Sequence, residues 1–128
     1  MRDLKHLIAF ENLLQEANNE LVRQGKADGK RALGYTCYFM PEVLLDLPGC
    51  FAVRLRAPKC TSPDMATYYM SSRTCHYGRS LFERALEGGY NFLDADFGTE
   101  TCTVTWQIHD LKNAHRHFAP HIGKHRAL

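Results

Sequence analysis

Tyr69-Met-Ser-Ser-Arg-Thr-Cys-His-Tyr-Gly-Arg-Ser-Leu-Phe-Glu-Arg-Ala-Leu86, then Gly88-Gly89, then Tyr90-Asn-Phe-Leu-Asp-Ala-Asp-Phe-Gly-Thr-Glu-Thr-Cys-Thr103 is the stretch that decides the fold. Leu81, Ala85 and Leu86 keep helical spacing after Cys75, and the paired glycines stop the helix. Residues 91–97 read as a buried strand, Gly98-Thr99 turns the chain, and a second helix is expected over residues 101–113. Cys75 therefore stands at a helix start and Cys102 just past a strand. Thiols in such places lie where α/β folds put cofactors.

The same alternation extends upstream. Leu4, Leu7, Ile8, Leu14, Ala17 and Leu21 recur at three- and four-residue spacing, which predicts an amphipathic N-terminal helix, with a glycine-containing basic turn closing residues 1–30. Residues 33–39 (Leu-Gly-Tyr-Thr-Cys-Tyr-Phe) predict a first strand. Pro41 suits the first position of a helix, with Glu42 in its first turn and Leu44, Leu45 and Leu47 packing inward. Residues 51–57 alternate Phe, Val and Leu with Ala and Arg, a second strand that Pro58 ends. Thr61 or Ser62 would cap a helix with Pro63 and Asp64 in its first turn. Alternating strands and helices predict an α/β fold, a three-layer Rossmann- or flavodoxin-like domain over residues 31–113 with a short parallel sheet. Loops at residues 39–42, 57–64 and 97–102 would share one sheet edge. Residues 114–128, rich in His, lose the pattern and read as an irregular tail.

The chain has 128 residues, room for one core and too few for two ordinary domains. A net charge of +2 argues for neither a nucleic-acid nor a membrane partner. No apolar run approaches the roughly 20 residues of a spanning helix. Charges interrupt the N-terminal apolar stretch, so no signal peptide is read there and a cytoplasmic location is expected. Five cysteines without a Cys-x-x-Cys pair fit neither a disulfide framework nor a zinc ribbon, so any metal ligands must be assembled by the fold. No Gly-rich phosphate loop, serine nucleophile motif or His-Glu-x-x-His is present.

Four segments in order carry a family resemblance: Gly34-Tyr-Thr-Cys-Tyr-Phe-Met-Pro-Glu, Val53-Arg-Leu-Arg-Ala-Pro-Lys-Cys-Thr-Ser and the two cysteine segments. Over residues 32–113 the chain resembles the N-terminal part of the 2-hydroxyacyl-CoA dehydratase and benzoyl-CoA reductase family, whose members include the 2-hydroxyglutaryl-CoA dehydratase D-component. The resemblance implies two Rossmann-like halves per subunit with a [4Fe-4S] cluster between them. Three cysteines hold that cluster, two of them falling on Cys75 and Cys102; the third comes from a C-terminal half that this sequence does not show. It further implies an ATP-driven iron–sulfur activator that delivers one electron, a ketyl radical on an acyl-CoA substrate, loss of the neighbouring hydroxyl, and anaerobic metabolism. A related chemistry in the family reduces aromatic thioesters.

Residue by residue, other readings stay open. Cys75 and Cys102 are equally describable as inert thiols filling space at the sheet edge. Zinc is the rival metal, with His76 as a further donor, although adjacent Cys75 and His76 would point differently along a helix. Cys37 and Cys50 read as core residues, and Cys60 as a distant third-ligand candidate on a loop. Pro41-Glu42 matches the family's Pro-Glu-Glu-Leu segment, which makes Glu42 a candidate acid–base residue by resemblance; Val43 replaces the second Glu. A first-turn carboxylate favoured by the helix dipole is the plainer account of Glu42. Arg54 and Arg56 share one strand face in this reading, either solvated or meeting CoA phosphates. His115, His117, His121 and His125 are irregularly spaced and read as a solvated tail. Against the dehydratase component stand two rivals, a non-catalytic domain that is structural or pairs with a separate C-terminal half, and a redox sensor built on a reactive thiol.

Overall fold

The computed structural model describes residues 2–99 and 102–114; the His-rich stretch beyond them lies outside the described residues. Three strands, β1 (Arg31–Tyr35), β2 (Cys50–Arg54) and β3 (Ala95–Phe97), form a wholly parallel sheet in the order β2-β1-β3. Leu33 and Gly34 of β1 pair with Ala52 and Val53 on one side and with Ala95 and Asp96 on the other. The chain thus leaves β1 for one neighbour and returns to the opposite one. That reversal creates a crevice beyond the C-terminal ends of β1 and β3, where open α/β sheets bind ligands. The α/β reading of the sequence is correct.

The N-terminal repeat forms two helices rather than one, α1 (Arg2–Leu14) and α2 (Glu20–Ala27). Asn19 explains the break. Its side-chain oxygen accepts from Val22 N at 3.1 Å, capping α2, while its amide donates to the Leu13 carbonyl at 3.1 Å. Only Ala17 and Val22 of this region reach the core. Further along lie α3 (Asp64–Tyr69), α4 (His76–Leu86) and α5 (Thr103–Ala114).

The two faces of the sheet are covered unequally. Ala32, Phe51 and Val53 face a large core with Met70, Leu81, Phe82, Leu93 and Ile108, supplied largely by α3, α4 and α5. Leu33, Tyr35, Ala52, Ala95 and Phe97 face a small one closed by Leu45. The helix expected after Pro41 is a single 3-10 turn, Glu42–Leu44, so the third layer is reduced to that turn and its flanking loop. Buried Glu83 of α4 accepts from Ala66 N of α3 at 2.7 Å, fastening the two helices. Among the described residues, no helix is long and apolar enough to cross a membrane.

Candidate functional site

Cys75 is the N-cap of α4: its sulfur accepts from Gly78 N at 3.4 Å, and the thiol is exposed. Tyr77, in the first turn of the same helix, ties this end to the sheet. Its hydroxyl sits 2.9 Å from the Thr36 carbonyl and 3.2 Å from that of Leu55, just beyond the ends of β1 and β2. Burial raises the Tyr77 phenol above its ordinary value, with the nearby Arg54 cation opposing, so it remains a neutral donor. Cys75 is thereby held at the C-terminal rim of the sheet.

Cys102 enters from the other side of the crevice, at the start of α5. Gly78 sets the approach of the two helices. A Cβ there would collide with the Val104 side chain and would lie 3.5 Å from the Cys75 sulfur. Only glycine lets the first turns of α4 and α5 meet this closely, and the meeting point has Cys75 on one flank and Cys102, two residues before Val104, on the other.

The Cys102 sulfur lies 3.5 Å from Thr105 Oγ1, whose own proton also has the Thr99 and Cys102 carbonyls within 3.0 Å. The Thr105 hydroxyl first, then the backbone N–H groups of Thr105 and Val104, hold the Cys102 thiol below its ordinary pKa against the opposing effect of burial. An exposed sulfur biased towards thiolate is a nucleophile or a soft metal ligand.

Thr36 belongs to the same rim. It continues the alternation of Ala32 and Gly34, whose positions face Leu55 and Leu93 in the helix-covered core. Its side chain is 1% exposed, and Oγ1 has no hydrogen-bond partner among the described residues. Nothing in the local sequence announces this, because an unpaired hydroxyl is a property of its surroundings.

Glu42 is placed elsewhere. Its carboxylate accepts the hydroxyl proton of buried Tyr35, on the thinly covered face of the sheet, opposite α4 and α5. Burial, reinforced by the Glu42 carboxylate, pushes the Tyr35 phenol up to about 12. Arg54 shares that side, its guanidinium 5.7 Å from the ring centre of exposed Tyr38. Arg56 parts from it and reaches the Leu13 carbonyl at 3.4 Å, so the two arginines expected on one face serve different regions.

The remaining cysteines also differ from expectation in part. Cys37 lies two residues beyond β1 rather than within it, half-buried, and Cys60 sits half-buried on the loop after β2. Cys50 opens β2 as expected. His76 bonds Ser80 at 3.1 Å, turned along its own helix. Among the described residues, no three His, Cys, Asp or Glu side chains form a group able to hold a metal ion. Tyr35, Thr36, Tyr77, Gly78 and Thr105 escaped the sequence reading. Of these, Gly78 and Thr105 had a signal, a glycine and a threonine each three residues after a candidate thiol.

The sequence model of the family described as 2-hydroxyglutaryl-CoA dehydratase, D-component, matches residues 37–123, more than half of the chain. No curated protein and no solved structure matches.

Proposed function

Because this chain belongs to the 2-hydroxyglutaryl-CoA dehydratase D-component family, we propose that it is a component of an iron–sulfur 2-hydroxyacyl-CoA dehydratase in which Cys75 and Cys102 provide two ligands to a [4Fe-4S] cluster. The observation that carries this reading is the packing of the α4 and α5 first turns through Gly78, with an exposed thiol on each flank at the crevice of a parallel sheet. The donor set suits the group. Both side chains are sulfur, one thiol is biased towards thiolate, and a buried hydroxyl without a protein partner lies at the same rim. The described residues supply no third donor beside them. The reading therefore includes a partner, either a C-terminal half-domain or a second dehydratase subunit, that contributes the third thiolate and closes the crevice.

When bound, the cluster supplies one-electron chemistry at a thioester carbonyl, fed by an ATP-dependent iron–sulfur activator protein. The chain's own residues do the holding and positioning. Residues 31–113 form the cluster-binding half-domain, and residues 1–30 its helical flank. Tyr77 and Gly78 fix the thiols relative to each other. Arg54, exposed over Tyr38, presents a cation to the phosphates of an acyl-CoA crossing the ends of β1 and β2. Glu42, held by Tyr35, offers a carboxylate to a substrate that lies across that rim. Such a protein would work in the cytoplasm of an anaerobic cell, as a lyase component.

Anaerobic reconstitution with iron and sulfide, followed by metal analysis and EPR, tests the reading. The full chain should take up about four irons per cluster, and Cys75→Ser or Cys102→Ser should abolish uptake. Iron bound equally by both variants, or no iron bound by the folded wild-type chain, would overturn it.

A further inference from the structure

Thr36 is 1% exposed and its hydroxyl has no partner among the described residues. A buried hydroxyl in that state costs free energy on folding, so the position demands an explanation. Packing alone does not give one. Valine has nearly the same shape, would fill the space without a polar atom, and favours a strand end at least as well.

Three observations locate where the hydroxyl is used. By the alternation of β1, Thr36 is on the face covered by α4 and α5, with Ala32 and Gly34, and it is the last of that series at the C-terminal rim. Its own carbonyl accepts the Tyr77 hydroxyl at 2.9 Å, two residues from Cys75, so α4 is clamped directly to this residue. Cys102 faces the same crevice from α5, across the Gly78–Val104 contact. The hydroxyl is therefore on the floor of the space whose flanks carry the two thiols.

We propose that Thr36 is a positioning and tuning residue whose hydroxyl donates a hydrogen bond to sulfur of the group held by Cys75 and Cys102, a use that rests on the iron–sulfur reading above. A donor aimed at sulfur stabilises the more negative, reduced state of such a group and raises its reduction potential. In the unloaded chain the same hydroxyl has nothing to bond and is a small liability. These two consequences have opposite signs, which separates Thr36 from a residue that merely supports the fold.

The test uses the full chain, wild type against Thr36→Val and Thr36→Ser, reconstituted anaerobically with iron and sulfide. Potentials come from EPR-monitored titration and stability of the unloaded chains from urea midpoints. Thr36→Val should bind the cluster at a more negative potential, Thr36→Ser should restore the wild-type value, and unloaded Thr36→Val should have a midpoint equal to or above that of wild type. Equal potentials in all three loaded chains would overturn the proposal while leaving the cluster reading intact. A lowered midpoint or failure to fold in unloaded Thr36→Val would also overturn it, because the hydroxyl would then serve the protein itself. Absence of iron in wild type would overturn the cluster reading, and this proposal with it.

Discussion

Helices α1 and α4 are each read from apolar residues three and four apart, yet Leu7 of α1 is 63% exposed and Leu81 of α4 is 1% exposed. Leu4, Ile8, Phe10 and Leu14 join Leu7 in solvent, while Phe82 and Ala85 join Leu81 in the core. Periodicity reports that a helix has an apolar side. It carries no information on whether the rest of the chain offers a surface to cover it. α4 finds the sheet because Tyr77 and Glu83 secure it, one to the strand ends and the other to α3. Among the hydrogen bonds of the described residues, α1 is joined to its neighbours chiefly through its last turn, where the Leu13 carbonyl receives Asn19 and Arg56.

The largest expected effect belongs to α4. Phe82→Ala removes a ring that is 1% exposed and edge-on to Tyr69 at 5.6 Å between centroids. It should cost about 3–5 kcal/mol in urea denaturation. A cost below about 1 kcal/mol, the scale of surface changes, would mean that the α4 core is not the principal one.

An intermediate effect is expected where the N-terminal region is pinned to the sheet. Asp94 accepts from Lys26 of α2 at 2.7 Å and from Ala32 N of β1 at 2.8 Å. Burial opposes its charged form, but the Lys26 ammonium and the Ala32 N–H outweigh it and hold the carboxyl below its usual value. A carboxyl lowered in the folded state stabilises it above the ordinary carboxylate pKa, and that contribution is lost as pH falls through the lowered value. Wild type should therefore lose stability more steeply than Asp94→Asn as the solution is acidified below about pH 4. Parallel acid profiles would detach α2 from the sheet. At neutral pH the ion pair, more than a third exposed, should contribute no more than about 1 kcal/mol.

The smallest effect is expected from α1. Leu7→Ser should change the urea midpoint of the isolated chain by less than the equivalent of about 0.5 kcal/mol. A larger loss would show that α1 buries its apolar side in solution and would erase the contrast with α4.

Much of the fold was legible because it is written in local chemistry. Pro41, Pro63, Cys75 and Gly88 sit at the ends of elements for reasons of backbone geometry, and each helix or turn forms at or near the expected place. The strands are shorter than their apolar runs suggest. Residues 91–94 form a turn before β3, and β1 ends at Tyr35 where Tyr77 takes up the next carbonyl. The site was half legible. Cys75 and Cys102 were visible from their neighbours in sequence and from the family resemblance, whereas their common floor at Thr36 was not.

The sequence by itself determined the elements, their α/β order, the family and the two thiols placed at helix starts. Those features depend on spacing, on caps and turns, and on residues matched one by one. Only the tertiary structure decided that α1 keeps its leucines in solvent, that Arg54 and Arg56 separate, that Glu42 belongs to Tyr35 on the far face, and that the Thr36 hydroxyl is left without a partner. Each of these is a relation between segments distant along the chain. It is set by which surfaces remain after the best-packed ones have met, and no window of neighbouring residues contains that outcome.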